Sequence, residues 1–160
     1  MAAAGLGQES NERTQSGTVL VVDDTEDNLQ LAVRTLERAG LRCLAASRGW
    51  QCLEIAKRET VDLILLDLLM PRMDGWMTLA ALRSDGATSH IPVIMFTCDD
   101  RFVIRERAMR EGAVDFLPRP VVRDKLLACV RTHLSAVAHA RLLEAVGRDL
   151  ESTLDAEDEK

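Results

Sequence analysis

Apolar residues along this chain alternate between short β-branched or leucine-rich runs and longer stretches with helical spacing. The first run, TVLVVDD, closes on two acids. The next segment, EDNLQLAVRTLERAG, sets Leu29, Ala32, Val33, Leu36 and Ala39 on one helical stripe and meets a stop at Gly40. LRCLAA predicts a second strand, and WQCLEIAKRET a second helix with Cys52, Ile55 and Ala56 inward. VDLILLD is almost wholly apolar, as a strand covered on both faces requires. MPRMDG reads as a turn through its Pro and Gly, and WMTLAALRSD as a third helix. IPVIMFT, RFVIRERAMREGA, VDFLP and VVRDKLLACVRTHLSAVAHA then predict strand, helix, strand and a long final helix.

Five strands alternating with five helices predict right-handed βαβ units around a parallel sheet covered on both faces. In such sheets chemistry gathers at the carboxyl ends of the strands, near the point where strand order reverses. Composition narrows the picture further. A 160-residue chain allows one domain plus tails. Its net charge of -6 argues against direct nucleic-acid binding or an anionic membrane surface. No apolar run reaches the roughly 18–20 residues of a membrane span, and the N-terminus lacks the pattern of a signal peptide. Residues 1–17, polar and aperiodic, are expected to be a disordered tail. Cys43, Cys52, Cys98 and Cys129 are scattered without a CxxC pair, so they read as reduced cytoplasmic thiols, mostly core, rather than a zinc or disulfide frame.

Polar residues interrupt the apolar pattern at the strand ends: Asp23 and Asp24 after the first, Asp67 after the third, Thr97 on the fourth, Arg119 after the fifth. One such Asp is commonly a helix cap, a role open to Asp24 or Thr25. Three carboxylates brought together repel, and a hard divalent cation relieves that repulsion; oxygen-only ligands favour Mg²⁺ over zinc. A strand-end carboxylate is also a nucleophile toward phosphorus, in chemistry that depends on positioning and charge neutralisation.

The pieces VVDD (residues 21–24), LLDLLMPRMDG (65–75), VIMFT (93–97) and EGAVDFLPRP (111–120), in this order, resemble the receiver domain of two-component response regulators. The resemblance runs from about Thr18 to His139. It implies a doubly wound, flavodoxin-like (βα)5 sandwich with strand order 2-1-3-4-5, continued by an extended C-terminal helix. It further implies that Asp67 accepts a phosphoryl group from a histidine kinase or histidine phosphotransfer protein. Mg²⁺ (or Mn²⁺) would be held by Asp24, Asp67 and the Leu69 backbone carbonyl, with Asp23 acting through water. Thr97 would bond the new phosphate, and Phe116 would be the aromatic switch that turns inward. The surface that changes would comprise the fourth helix, fifth strand and fifth helix.

Arg119 departs from the family pattern, which has Lys there. A guanidinium keeps the charge but is a planar fork, able to pair with a phosphoryl oxygen or to reach Asp67 itself and hold it. Three further positions bear on phosphate access and lifetime: Leu69 is expected to exclude water, Asp99 to stand near the entrance, and Cys98 to act as a small hydrophobe beside Thr97. Trp76 is expected to be scaffold near the site.

Residues 140–160 form a separate expectation, a helical extension and acidic tail. Leu142, Val146, Leu150 and Leu154 make a stripe that needs a partner, a second copy or an absent output domain, while Gly147 weakens the helix and DAEDEK is expected to fray. Between Arg101 and Arg131 eight basic residues face four acids, a patch that suits a neighbour's acidic tail or simply water. Two other classes compete with the signalling module. A pseudo-receiver scaffold is favoured by Arg119 alone. A magnesium-dependent aspartyl phosphatase of the haloacid dehalogenase type would want Asp-x-Asp on the first strand, where this chain has DDT.

Overall fold

The alternation of apolar runs and stripes resolves into ten elements, described over residues 17–158 of the chain in a computed structural model. The strands are β1 (Thr18–Val22), β2 (Arg42–Ala46), β3 (Leu63–Leu66), β4 (Val93–Thr97) and β5 (Asp115–Pro118). The helices are α1 (Glu26–Arg38), α2 (Gly49–Arg58), α3 (Gly75–Ser84), α4 (Phe102–Arg110) and α5 (Arg123–Asp158). All strand pairs are parallel, in the order β2-β1-β3-β4-β5 expected from the resemblance. The expected tail over residues 1–17 lies outside the described residues, except for Gly17, whose carbonyl accepts from Arg42 N–H.

Side chains alternate across a strand, so parity decides which helix layer each one meets. Val19, Val21, Leu63, Leu65, Ile94, Phe96 and Leu117 face α1 and α5, where they meet Leu29, Leu36, Leu126 and Val130. Leu20, Val22, Ile64, Leu66, Val93, Met95 and Phe116 face the other layer, with Cys52, Leu79 and Ala108. All four residues of β3 are buried, which explains why its sequence shows no alternation. In α1, Leu29, Ala32 and Leu36 are buried with Val33 and Ala39 at the margin, as the stripe predicts. In α2, Cys52 and Ala56 are buried and Ile55 packs at the edge.

The loop after β3 is shaped by close backbone approach. Gly75 N–H donates to the Leu68 carbonyl at 2.8 Å, and a Cβ at Gly75 would stand 2.5 Å from the Asp67 carbonyl oxygen. Arg72 takes a left-handed φ of 65° in the same turn, and Asp74 caps α3 by accepting from Met77 N–H. These contacts fix the loop that carries Asp67, Leu68 and Leu69.

One expectation needs correction: within DAEDEK, α5 is helical through Asp158, and the last two residues lie outside the described residues. The cysteines are mostly core, as expected: Cys52 is buried and Cys43 and Cys129 are half-buried against the core, while Cys98, in the loop after β4, is exposed. Arg141 Nη1 lies 2.6 Å from Asp62 Oδ1 at the amino edge of β3, and beyond it Leu142, Leu143, Leu150 and Leu154 are each about three-fifths exposed. Among the described residues no helix is long and apolar enough to cross a membrane.

Candidate functional site

Strand parity also decides which of the strand-end residues meet. Asp23 continues the series Val19, Val21; Asp67 continues Leu63, Leu65; Arg119 follows Leu117. All three therefore turn toward the α1/α5 layer and converge at the carboxyl edge of the sheet. Asp23 and Asp67 are buried, Asp24 is half-buried, and oxygens of the three carboxylates lie within 4.8 Å of one another. Arg119, whose side chain is 14 % exposed, bridges two of them. Its Nη1 donates to Asp23 Oδ2, and its Nη2 forms an ion pair with Asp67 Oδ1 at 2.9 Å. The guanidinium also stands over the Phe96 ring, 4.8 Å from the centroid. Its Nε is buried without a hydrogen-bond partner, as expected when a fork is aimed at two carboxylates at once.

Asp23 has a second duty. Its Oδ1 accepts from Thr25 N–H at 2.9 Å, while Thr25 stands at the N-cap of α1 with no side-chain cap bond. The expected cap by Asp24 or Thr25 is thus replaced by an Asx-type turn on Asp23, which leaves Asp24 free of helix capping. Asp67 Oδ1 also faces Leu69 N–H, at a long 3.4 Å. Burial raises the Asp67 carboxyl to a pKa of about 6; Arg119 pulls against that rise, and Asp23 adds to it.

Thr97 belongs to the other parity, with Val93 and Met95, and is fully buried. Among the described residues its Oγ1 accepts from Asp99 N–H at 3.4 Å, and its carbonyl accepts from Arg119 N–H at 2.8 Å. Thr97 therefore positions the backbone of Arg119, and among the described residues no hydrogen bond joins its hydroxyl to Asp67. Phe116 shares the Thr97 face and is 3 % exposed, with Arg105 5.9 Å from its ring centroid. The ring is inward in this structure.

Two openings reach the acidic trio. A cleft of about 650 Å³ is lined by Asp24, Asn28, Leu31, Asp67, Phe96 and Arg119, with Cys98 at its margin. A second of about 490 Å³ lies toward α3 and α4, between Asp24, Leu69, Trp76, Asp99 and Ile104. Leu69, 58 % exposed, and Asp24 divide the two. Asp99 is at the entrance, as expected, but it is held: Arg101 donates to both its oxygens at 2.9 and 2.8 Å and keeps its carboxyl below the usual range. Trp76 packs at the core margin under Arg107, 4.1 Å from its ring centroid, and also lines the second opening.

Sequence reasoning overlooked the Phe96 ring under Arg119, which the odd-even alternation of IPVIMFT places on the Arg119 side. It also overlooked a cluster on the same face at the amino end of β5, where Asp115, Cys129 and His133 bring ligand atoms within 4.8 Å of one another.

An oxygen-only trio with this spacing fits a hard divalent cation: Asp23, Asp24 and Asp67 supply the charge that Mg²⁺ requires. Comparisons with known proteins agree with this geometry. The family model described as response regulator receiver domain matches residues 19–131. The chain is 38 % identical over 117 residues to Response regulator PleD of Caulobacter vibrioides, covering 73 % of this chain but 26 % of that protein. It is 32 % identical over 117 residues to Protein PilH of Pseudomonas aeruginosa, covering 73 % of this chain and 97 % of PilH. Among solved structures, chemotaxis protein CheY4 of Vibrio cholerae matches with a TM-score of 0.70 at 27 % identity, over 73 % of this chain and 98 % of CheY4. A response regulator receiver domain protein from Clostridium thermocellum matches at 0.70 and 28 % identity, over 79 % of this chain and 98 % of that one. With a parallel 2-1-3-4-5 sheet, an acidic trio at its carboxyl edge and the family model spanning 19–131, this chain belongs to the response regulator receiver domain family.

Proposed function

We propose that Asp67 is the phosphoryl acceptor of this receiver and that Arg119 is its resident counter-ion. The observation that carries the reading is the double pairing of Arg119 with Asp23 and Asp67 at the carboxyl edge of the sheet. A partner histidine kinase or histidine phosphotransfer protein is the expected donor. The Asp67 carboxylate attacks phosphorus, the bond from phosphorus to the donor nitrogen breaks, and an aspartyl phosphate remains on Asp67. Arg119, already within hydrogen-bond reach of Asp67, is placed to pair with the incoming phosphoryl oxygens.

Asp24, Asp67 and the Leu69 carbonyl would hold Mg²⁺ or Mn²⁺, with Asp23 assisting through water. When bound, the cation neutralises charge on the transferring group. Asp23 cannot serve the cation and Arg119 equally, so the two positive charges compete for it. Thr97 would bond the phosphate once it forms, drawing on the Arg119 backbone it already contacts. Phe116, inward beside it, would report the change to the face formed by α4, β5 and α5.

The protein's output would be a protein contact rather than catalysis of its own, apart from self-phosphorylation by small donors and self-dephosphorylation. A cytoplasmic setting suits that role. The chain spans about a quarter of PleD and nearly all of PilH, so relatives much longer than the matched region and relatives of about its length are both represented. The exposed stripe of α5 supports pairing with a second copy or continuation toward such a domain. A pseudo-receiver is the second reading, favoured by the same Arg119 bridge, which could lock Asp67 permanently.

Intact-mass analysis after incubation with acetyl phosphate and Mg²⁺ separates the two. One phosphate on the wild type and none on Asp67→Asn supports the switch. No phosphate on the wild type, but one on Arg119→Lys, makes the bridge a lock and the protein a scaffold.

A further inference from the structure

On the α1/α5 face of the sheet, at the amino end of β5, the first residue of that strand meets two residues one helical turn apart on α5. Asp115 Oδ2 lies 2.9 Å from His133 Nε2 and 3.4 Å from Cys129 Sγ. We infer that Asp115, Cys129 and His133 form a site for a borderline-soft divalent metal of the zinc class, tying β5 to α5.

Three observations carry this. Bonds of about 2.0–2.3 Å at tetrahedral angles put neighbouring donor atoms roughly 3.3–3.7 Å apart. Asp115 Oδ2 and Cys129 Sγ, at 3.4 Å, already stand so, and Oδ2 and His133 Nε2, at 2.9 Å, have only to open slightly. All three donor atoms already lie within 4.8 Å of one another, so closing around an ion needs side-chain adjustment and no backbone movement. The donor set is mixed oxygen, nitrogen and sulfur, which selects zinc over magnesium and sets this site apart from the carboxylate trio around Asp67. The carboxylate is also oriented in advance. Phe116 N–H donates to Asp115 Oδ1 at 2.8 Å, which leaves Oδ2 aimed at the helix.

A thiolate, a carboxylate and a neutral imidazole balance the two charges of the metal. The thiol keeps its proton until then, since burial and then Asp115 push Cys129 up to about 12; on binding that proton leaves to solvent. A hollow of about 350 Å³ lined by Asp115, Cys129, Arg105, Lys125 and Thr132 adjoins the cluster and would admit water as a further ligand. Arg105 and Lys125 oppose a cation and set an upper bound on affinity. The bland alternative is an Asp115–His133 ion pair with Cys129 as a weak donor, and it predicts no thiolate–metal bond. This site does not depend on phosphorylation of Asp67.

The test uses the full chain, reduced and stripped of metal by a chelator, then titrated with Co²⁺ and back-titrated with Zn²⁺. One equivalent of Co²⁺ should produce the visible bands of a tetrahedral ion and a near-ultraviolet thiolate-to-cobalt band, both abolished by Zn²⁺. Cys129→Ser should lose the thiolate band, and His133→Gln should weaken binding by about ten-fold or more. Asp24→Asn should change neither. Absence of the thiolate band on the wild type, or its survival in Cys129→Ser, overturns the inference. Circular dichroism of each variant shows whether a lost band reflects a lost ligand or a lost fold; retention of the band in a folded His133→Gln at wild-type affinity is equally adverse.

Discussion

Arg119 and Asp67 form an ion pair at 2.9 Å across the carboxyl edge of the sheet, while the other arm of the same guanidinium is taken by Asp23. The two residues are separated by two strand positions in the sheet, yet both carry the parity of the α1/α5 face, which is why they meet. A fork with both prongs engaged must release at least one when a cation or a phosphoryl group arrives.

The first prediction concerns that release. Arg119→Gln removes a positive charge competing for Asp23 and Asp67, so Mg²⁺ should bind about ten-fold more tightly, roughly 1.4 kcal/mol. Quenching of Trp76 fluorescence on titration with Mg²⁺, in a Trp50→Phe background, measures it. Equal affinities would mean that Arg119 swings clear at no cost.

Asp67 should titrate near pH 6, detectable in the carboxyl ¹³C shift, because burial outweighs its pairing with Arg119. In Arg119→Gln the midpoint should rise further. The native carboxyl binds its proton more tightly than an unfolded aspartate, so this group removes stability as pH rises from about 4 to about 6. Phosphorylation by acetyl phosphate should fall off below the same midpoint, where the nucleophile is protonated. A midpoint at the ordinary value near 4 would show the site to be wetter than its burial implies.

Leu69 stands between the two openings with its side chain 58 % exposed, an apolar wall where water approaches Asp67. Leu69→Asn should shorten the lifetime of the phosphorylated protein several-fold without changing the rate of its formation from acetyl phosphate. Phos-tag gel decay curves give the half-life. An unchanged half-life would remove Leu69 from the chemistry.

Gly147 lies in an exposed stretch of α5, and a Cβ there would meet nothing within 4 Å. Gly147→Ala should strengthen the helix by about 1 kcal/mol. Amide hydrogen exchange over residues 142–154 should slow by about five-fold, with phosphorylation of Asp67 untouched. Faster exchange would show that the extension needs its glycine for a bend.

The sheet, its order and the strand-end residues were legible because apolar runs and stripes alternate cleanly and the acids interrupt them. What sequence could not resolve was facing. β3 is apolar throughout, so the side on which Asp67 emerges is set by register with β1 and β4 rather than by any local pattern. Thr97 and Arg119 look equivalent as strand-end polar residues, yet opposite parity sends one into the α3/α4 layer and the other to Asp67. The cluster of Asp115, Cys129 and His133 was illegible for a different reason. Its carboxylate stands 14 positions before Cys129 and 18 before His133 on another element, and only the packing of α5 on β5 brings the three together. DAEDEK was misread because acids at a helix C-terminus oppose the macrodipole, a cost of a few tenths of a kcal/mol or so that the rest of a 36-residue helix outweighs.

α5 leaves the chemical edge of the sheet near Arg119, crosses the whole layer, and is clasped by Asp62 through Arg141 at the opposite edge. At 1.5 Å per residue, about 27 Å of helix precede that clasp and about 26 Å follow it. Burial of Leu126, Val130 and Leu134 holds the first half of the helix to the sheet. The half beyond the clasp, with its exposed leucines, is therefore a platform whose bearing is set by the layer it has just crossed.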